Sequence, residues 1–317
     1  MIKSMFSKPL RIIKKLFKAY KLLKSNFQPS IDGLIDIEKD NNATNNQHKQ
    51  KFKESDNWHN IWAKKIEQDY LENPGTFLRS KYISSTLHPN EQDKSDRLLD
   101  VMLNHSFSKK HILPYLSETP YGDPYLSEKF RFASPMTIQH AYYIFLIKKY
   151  LDIFLPTSKV NSIIDFGGGY GNFCKLIHQF GYHEMYNIVD FDILHRIQKK
   201  FISHNLHGLI YPNLDIRYIN SLSELDFSRH DLNSIFIASY SLSETEKSIR
   251  DVFESNINNF NYIFIVYQRY VGFHDMDNFA YFNSIEKKLK NVGVVNHIYS
   301  QYLKSYLFTY KKNVDNK

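Results

Sequence analysis

The stretch SIIDFGGGYGNF, residues 162–173, decides how the chain is read. A short apolar run closes on Asp165 and Phe166, and glycines follow at Gly167, Gly168, Gly169 and Gly171. Such a run reads as a buried strand, and a glycine turn at its end lets the backbone come close to a ligand. A P-loop would need Lys and then Ser or Thr after its glycines, but Asn172, Phe173 and Cys174 supply neither. The dinucleotide fingerprint G-x-G-x-x-G would place its last glycine at the position held by Asn172, so that match is partial. What stands is D-x-G-x-G-x-G over Asp165, Gly167, Gly169 and Gly171, with Gly168 as an extra. This turn suits an uncharged or cationic ligand that asks for no phosphate contacts.

Downstream, strand and helix alternate. Strands are expected at 162–166, 185–190, 215–219, 234–239 and 262–267, with helices at 172–180 and 193–205 between them. VVNHIYSQ and SYLFTYKK then close the chain as a strand pair. The pattern predicts an α/β fold with a mainly parallel sheet covered on both faces and an antiparallel pair added last. Upstream the periodicity is helical. WHNIWAKKIEQDYL and RLLDVMLNHSF carry apolar residues at helical spacing, and TIQHAYYIFLIKKYLDIFL predicts a long helix ending before Pro156. Four regions follow: a basic amphipathic helix over 1–25, a disordered linker over 26–55, a helical lid or acceptor region over 56–158, and the sheet domain over 159–313. The linker rests on DNNATNNQHKQK, too poor in apolar side chains to offset chain entropy.

Composition narrows the classes further. The chain has 317 residues, 42% hydrophobic and 15% aromatic, enough for one full domain and a smaller companion. With Cys174 as the single cysteine, no intramolecular disulfide can form, and the histidines show no H-x-H or H-E-x-x-H pairing, so no metal is expected. The first 25 residues hold eight Lys or Arg and no acid, a charge of +8 that equals the whole-chain value. The remainder therefore balances at zero, which argues against a nucleic-acid partner. In the basic segment Leu10, Ile13, Phe17 and Tyr20 share one helical face and the lysines the other. That pattern suits peripheral contact with an anionic membrane through residues 3–24, or docking on a protein surface. No secretory leader or bilayer-length apolar run is evident, so the expected location is the cytoplasm or the inner face of its membrane.

The glycine motif, the acid ending EMYNIVDFD and the closing strand pair together resemble the class I S-adenosylmethionine-dependent methyltransferases over roughly the last half of the chain. The resemblance implies a Rossmann-like seven-stranded sheet and S-adenosyl-L-methionine as cofactor. It also implies that Asp165 organises the methionine end and Asp190 the ribose hydroxyls. A carboxylate only accepts, so it can take protons from both vicinal hydroxyls; the alternative for Asp190 is capping the next helix. Asn220 and Ser221 are candidates for the adenine, with Ser221 equally fit to cap a helix, and Ser239 stands at a strand's ligand-binding end. YGDPYLSE and IASYSLSE narrow the resemblance to the sugar O-methyltransferases of bacterial surface-glycan biosynthesis, implying a sugar or glycan-precursor acceptor. A sugar hydroxyl is a weak nucleophile that benefits from a base. The candidates are His274 and Asp275 in the loop after the fifth strand, Glu244, which also fits a helix start, and His140, which also fits plain packing. An NAD(P)-dependent oxidoreductase of nucleotide sugars and a non-catalytic membrane-associated scaffold are the rival readings. The former lacks the last glycine, and the latter should show a damaged glycine motif.

Overall fold

The computed structural model describes residues 34–35, 62–206, 214–226, 233–271 and 276–313. Its centre is a sheet of β1 (Leu34–Ile35), β2 (Ser162–Phe166), β3 (Met185–Val189), β4 (Ile216–Ile219), β5 (Ser234–Ser239), β6 (Tyr262–Tyr267), β7 (Gly293–Ser300) and β8 (Ser305–Lys312). The spatial order is β1-β7-β8-β6-β5-β2-β3-β4. Strands β2 to β6 pair in parallel, and β8 runs antiparallel to both β6 and β7. Counted from β2, the seven long strands read 3-2-1-4-5-7-6, the Rossmann-like class I methyltransferase arrangement. β2 lies at the centre, buried along its whole length, which is why it reads as a continuous apolar run rather than an alternating one.

Several element boundaries differ from expectation. β3 stops at Val189 and β4 begins at Ile216, although the Asp190 amide still bonds the Ile219 carbonyl. The stretch 26–55, expected as a linker, contributes β1, paired antiparallel through Leu34 with Ser300 and Ile35 with Tyr299. Backbone pairing on an open sheet edge needs few apolar side chains, so composition did not announce it. The rest of that stretch, and the basic segment 1–25, lie outside the described residues.

Among the described residues five α-helices precede the long strands: α1 (Ala63–Glu72), α2 (Lys81–Thr86), α3 (Gln92–Leu103), α4 (Ser106–His111) and α5 (Pro135–Leu151). The crossovers carry α6 (Asn172–Gln179), α7 (Asp192–Leu206), α8 (Lys247–Asn256) and α9 (Asn278–Leu289). Ser134 starts α5, its hydroxyl accepting the Thr137 amide, with Pro135 pre-set at the first position. The helix stops at Leu151, earlier than Pro156 suggested, because Asp152 takes a left-handed conformation (φ 55°). Asp is one of the few residues that enters that region readily. One apolar cluster runs from Phe77, Leu98 and Leu99 through Ile144 and Ile147 of α5 to Ile163, Ile188 and Phe264 of the sheet. A second, with Phe236, Phe253, Phe282 and Phe308, covers the opposite face. No helix among the described residues is long and apolar enough to cross a membrane.

Candidate functional site

The C-terminal ends of β2, β3 and β5 meet at one edge, where an open α/β sheet binds its ligands. The glycine turn after β2 and the tip of β3 are fastened together. Asp190 Oδ2 accepts the Gly169 amide at 3.2 Å and the Gln198 amide nitrogen at 2.9 Å, and Oδ1 accepts the Phe191 amide at 2.9 Å. Gln198 also donates to the Gly169 carbonyl at 2.9 Å. Asp190 thus holds the turn in place, and burial pushes its carboxyl up to about 7 in spite of the three donors. An ionised carboxylate offers about four acceptor sites, so capacity remains for a ribose hydroxyl. Asp165 is buried below the turn, accepts the Tyr186 hydroxyl at 2.8 Å, and is likewise pushed up to about 7 by desolvation.

The glycines divide by what excludes a side chain. A Cβ on Gly167 would sit 2.3 Å from the Ser241 Cβ, and one on Gly168 2.7 Å from Ile188 Cγ2, so protein packing accounts for both. Gly169 has φ 58°, yet a Cβ there would meet only Leu87 Cδ2, at 3.9 Å. Packing leaves that face of the turn bare, as a close-lying ligand requires. Gly171 opens α6. These residues fit the methionine and ribose portions of an adenosyl cofactor.

The remaining cofactor candidates are less committed. Ser239 ends β5 half-buried. Ser221 caps a short 3-10 turn at 222–224 by accepting the Ser223 amide, and the Asn220 amide bonds Glu224, so both serve the local turn after β4.

The helical half reaches this edge through the connection between α2 and α3. Leu87 stands over Gly169, and His88 Nδ1 lies 3.0 Å from the Tyr170 hydroxyl. Beneath it, α5 is bound to α6 by a buried polar network. Lys175 Nζ meets Glu118 Oε1 at 2.7 Å, and Glu118 Oε2 takes the Thr137 hydroxyl at 2.6 Å and the Ser134 amide at 3.1 Å. Burial would raise the Glu118 carboxyl, but Lys175 and these donors pull it down to about 2. Asn172 donates to Thr137 Oγ1 at 3.1 Å and lies 3.0 Å from His140 Nδ1. The residue that departs from the dinucleotide fingerprint is therefore a bolt between turn and lid.

His140, a candidate base from sequence, lies within this network. Its Nδ1 lies against the Asn172 amide, and burial together with the Lys175 charge lowers it to about 3. Glu244 differs. It ends the 3-10 turn Ser241–Glu244 directly after β5, desolvation pushes it up to about 7, and it has no hydrogen-bond partner among the described residues. The turn is pinned through the Ser243 carbonyl, which accepts Arg250 Nη2 at 2.8 Å and Asn278 Nδ2 at 3.2 Å. His274 and Asp275 lie outside the described residues. Tyr240, between β5 and that turn, has φ 71°, strained for an aromatic residue and typical of functional edges. Its hydroxyl lies 3.1 Å from Ser305 Oγ, and Lys94 Nζ sits 5.8 Å from its ring centre. Gln198, Tyr186 and Leu87 were not singled out from sequence, whereas Tyr240 was placed with Ser239 and Ser241 at the strand ends where ligands collect; the faint signal for the rest was a polar side chain, Gln198, on the buried face of α7.

No protein-family model matches the sequence, and no curated protein matches it. Among solved structures the chain is similar to the methyltransferase domain of a bacterial Hen1, at 11% identity over 55% of this chain and 97% of that one, with a TM-score of 0.40. It is also similar to an O-methyltransferase family protein from Burkholderia thailandensis, at 11% identity over 57% and 61%, TM-score 0.38. A third is a ribosomal protein L11 methylase from Lactobacillus delbrueckii subsp. bulgaricus, at 14% identity over 56% and 80%, TM-score 0.35. Likenesses this distant carry no argument about the acceptor, and the fold stands on the strand order itself.

Proposed function

We propose that the chain is an S-adenosylmethionine-dependent O-methyltransferase whose acceptor is a hydroxyl of a sugar in a surface glycan or its precursor. The observation that carries the reading is the bare glycine turn at Gly169 stapled to Asp190 at the ligand edge of a 3-2-1-4-5-7-6 sheet. Asp190 would hold the ribose, and Asp165 with the turn from Gly167 to Gly171 would hold the methionine end. When bound, S-adenosylmethionine supplies a methyl group already activated on a sulfonium. The protein's part is to place an acceptor oxygen and to take its proton.

Glu244 is the group suited to that second task. Its carboxyl sits near neutrality because burial disfavours its charge, which keeps a carboxylate basic enough to accept a hydroxyl proton. The sugar is supported by the sequence resemblance and by the aromatic loop after β6, where Tyr270 presents an exposed ring. The dinucleotide rival is disfavoured by Asn172, whose side chain is spent on Thr137 and His140 where a glycine would be needed.

Calorimetry on the full chain should give binding of S-adenosylhomocysteine and no comparable signal with NAD. Glu244→Gln should leave that binding within about twofold while lowering methyl transfer about a hundredfold or more. Loss of cofactor binding in Glu244→Gln, or turnover left intact, would remove Glu244 from the role.

A further inference from the structure

A cavity of about 420 Å³ opens beside Tyr240, lined by Asn90, Glu91, Gln92, Asp93, Lys94, Arg97 and Lys304. It lies within the size range of small-molecule sites. Two separate parts of the chain build it: the start of α3, and the turn between β7 and β8 that carries Lys304. Tyr240 ties them to the ligand edge. Lys94 lies over its ring, and Ser305, the neighbour of Lys304, meets its hydroxyl. Lys304 is held in the left-handed region at φ 53°, a conformation lysine seldom adopts.

The charges in the cavity are not all used. Lys94 is paired with Glu91 at 2.9 Å, and Gln92 spends its amide on Asn90, the Leu126 carbonyl and the Glu128 amide. Among the described residues the Arg97 and Lys304 side chains have no ion-pair or hydrogen-bond partner, and of the two carboxylates lining the cavity Asp93 is the uncommitted one. No side-chain hydrogen bond caps the N-terminus of α3, whose partial positive charge, offset in part by Asp93 in the first turn, lies on the same side as the two cations. A neutral sugar would not call for two unspent cations and an open helix end around one cavity. An anionic group would, with Arg97 able to grip it through two N–H donors and Lys304 acting as a point charge.

We infer that this cavity is an anion subsite that takes the phosphate of a phosphorylated acceptor, held by Arg97 and Lys304 while Tyr240 forms the wall toward the methyl donor. The inference rests on the methyltransferase reading and names the acceptor's chemistry: a sugar bearing a phosphate or diphosphate ester. A soluble nucleoside diphosphate sugar and a lipid-linked diphosphate sugar both present that group.

The test uses the full chain saturated with S-adenosylhomocysteine, so that cofactor binding is established before the acceptor side is probed. Inorganic pyrophosphate is titrated into the wild type, Arg97→Gln, Lys304→Gln and the control Lys109→Gln, an exposed cation on α4. Pyrophosphate should bind the wild type and the control alike, and each cavity substitution should weaken it about tenfold or more, with cofactor affinity unchanged. UDP-glucose and vesicles carrying an isoprenyl diphosphate then separate the two sources by which one competes with pyrophosphate. Equal pyrophosphate binding by all four proteins, or binding by none, overturns the subsite while leaving the methyltransferase reading in place. Failure of S-adenosylhomocysteine to bind would instead sink that reading.

Discussion

Glu118→Gln tests whether the helical half is locked onto the cofactor turn. The Lys175 side chain is 0% exposed and that of Glu118 5%, so the substitution leaves a buried ammonium without its counter-charge. Breaking a buried pair on one side costs about 3–5 kcal/mol. The protonation balance gives a similar figure by another route. The Glu118 carboxyl falls from its usual 4.5 to about 2 on folding, a difference worth about 3 kcal/mol. Because the folded value is depressed, that stability is fully present above 4.5 and is lost as pH falls through about 2. Urea denaturation near neutral pH should therefore show Glu118→Gln less stable by about 3–5 kcal/mol with an unchanged slope, a drop of about 10 °C in a thermal scan. The variant should also lose part of the wild type's decline in stability between about pH 4.5 and 2. Replacing both partners, Glu118→Leu with Lys175→Met, should recover much of the loss, since no lone charge then remains buried. A single-variant cost below about 1 kcal/mol, or an acid decline identical to wild type, would refute the lock.

Asp190→Ala should weaken S-adenosylhomocysteine binding by about 1.5–3 kcal/mol, the loss of hydrogen bonds to a charged group. Since burial pushes Asp190 up to about 7, the carboxyl is protonated below that value, and wild-type affinity should climb from about pH 6 to 8 while that of the variant stays flat. Gly169→Ala should fold with a penalty of about 1–2 kcal/mol from its left-handed backbone yet lose cofactor affinity in calorimetry. Gly167→Ala should instead fail to fold stably, because its Cβ meets Ser241. Deleting residues 1–25 should preserve cofactor affinity and reduce sedimentation with anionic vesicles, an effect that high salt should reproduce.

What could be read from the sequence was what is local. The strand, the glycines and the acid at the tip of β3 are set by neighbours within a few positions, and β2, β5 and β6 fall where the apolar runs put them. The end of α5 was misjudged because Pro156 is a visible stop, whereas the left-handed turn at Asp152 follows from that residue's own tolerance. His140 is a candidate base on sequence because histidine titrates near neutrality in water. Its burial and the Lys175 charge come from elements far apart in the chain. The same holds for Gln198, whose donation to both Gly169 and Asp190 joins positions 29 and 8 residues apart. Leu87, Lys94 and Lys304 reach the ligand edge from opposite ends of the chain, and no spacing rule connects them.

The apolar cluster that runs without a break from Phe77 and Leu98 to Ile163 and Phe264 bears on how such a protein can diversify. Domains joined by a linker can trade partners, so a new acceptor specificity can arrive by exchange of a whole module. Here a chain divided near residue 159 would strip α5 from the sheet it covers and expose apolar surface on both pieces, and neither half is a portable unit. New acceptors would have to be reached by substitutions at the exposed positions of two short segments, the α2–α3 connection and the β7–β8 turn, which border the ligand edge while Leu87 and Leu303 anchor them to the core. Variation among kindred sequences should then concentrate in those two segments, while α5 and α6 change together or not at all.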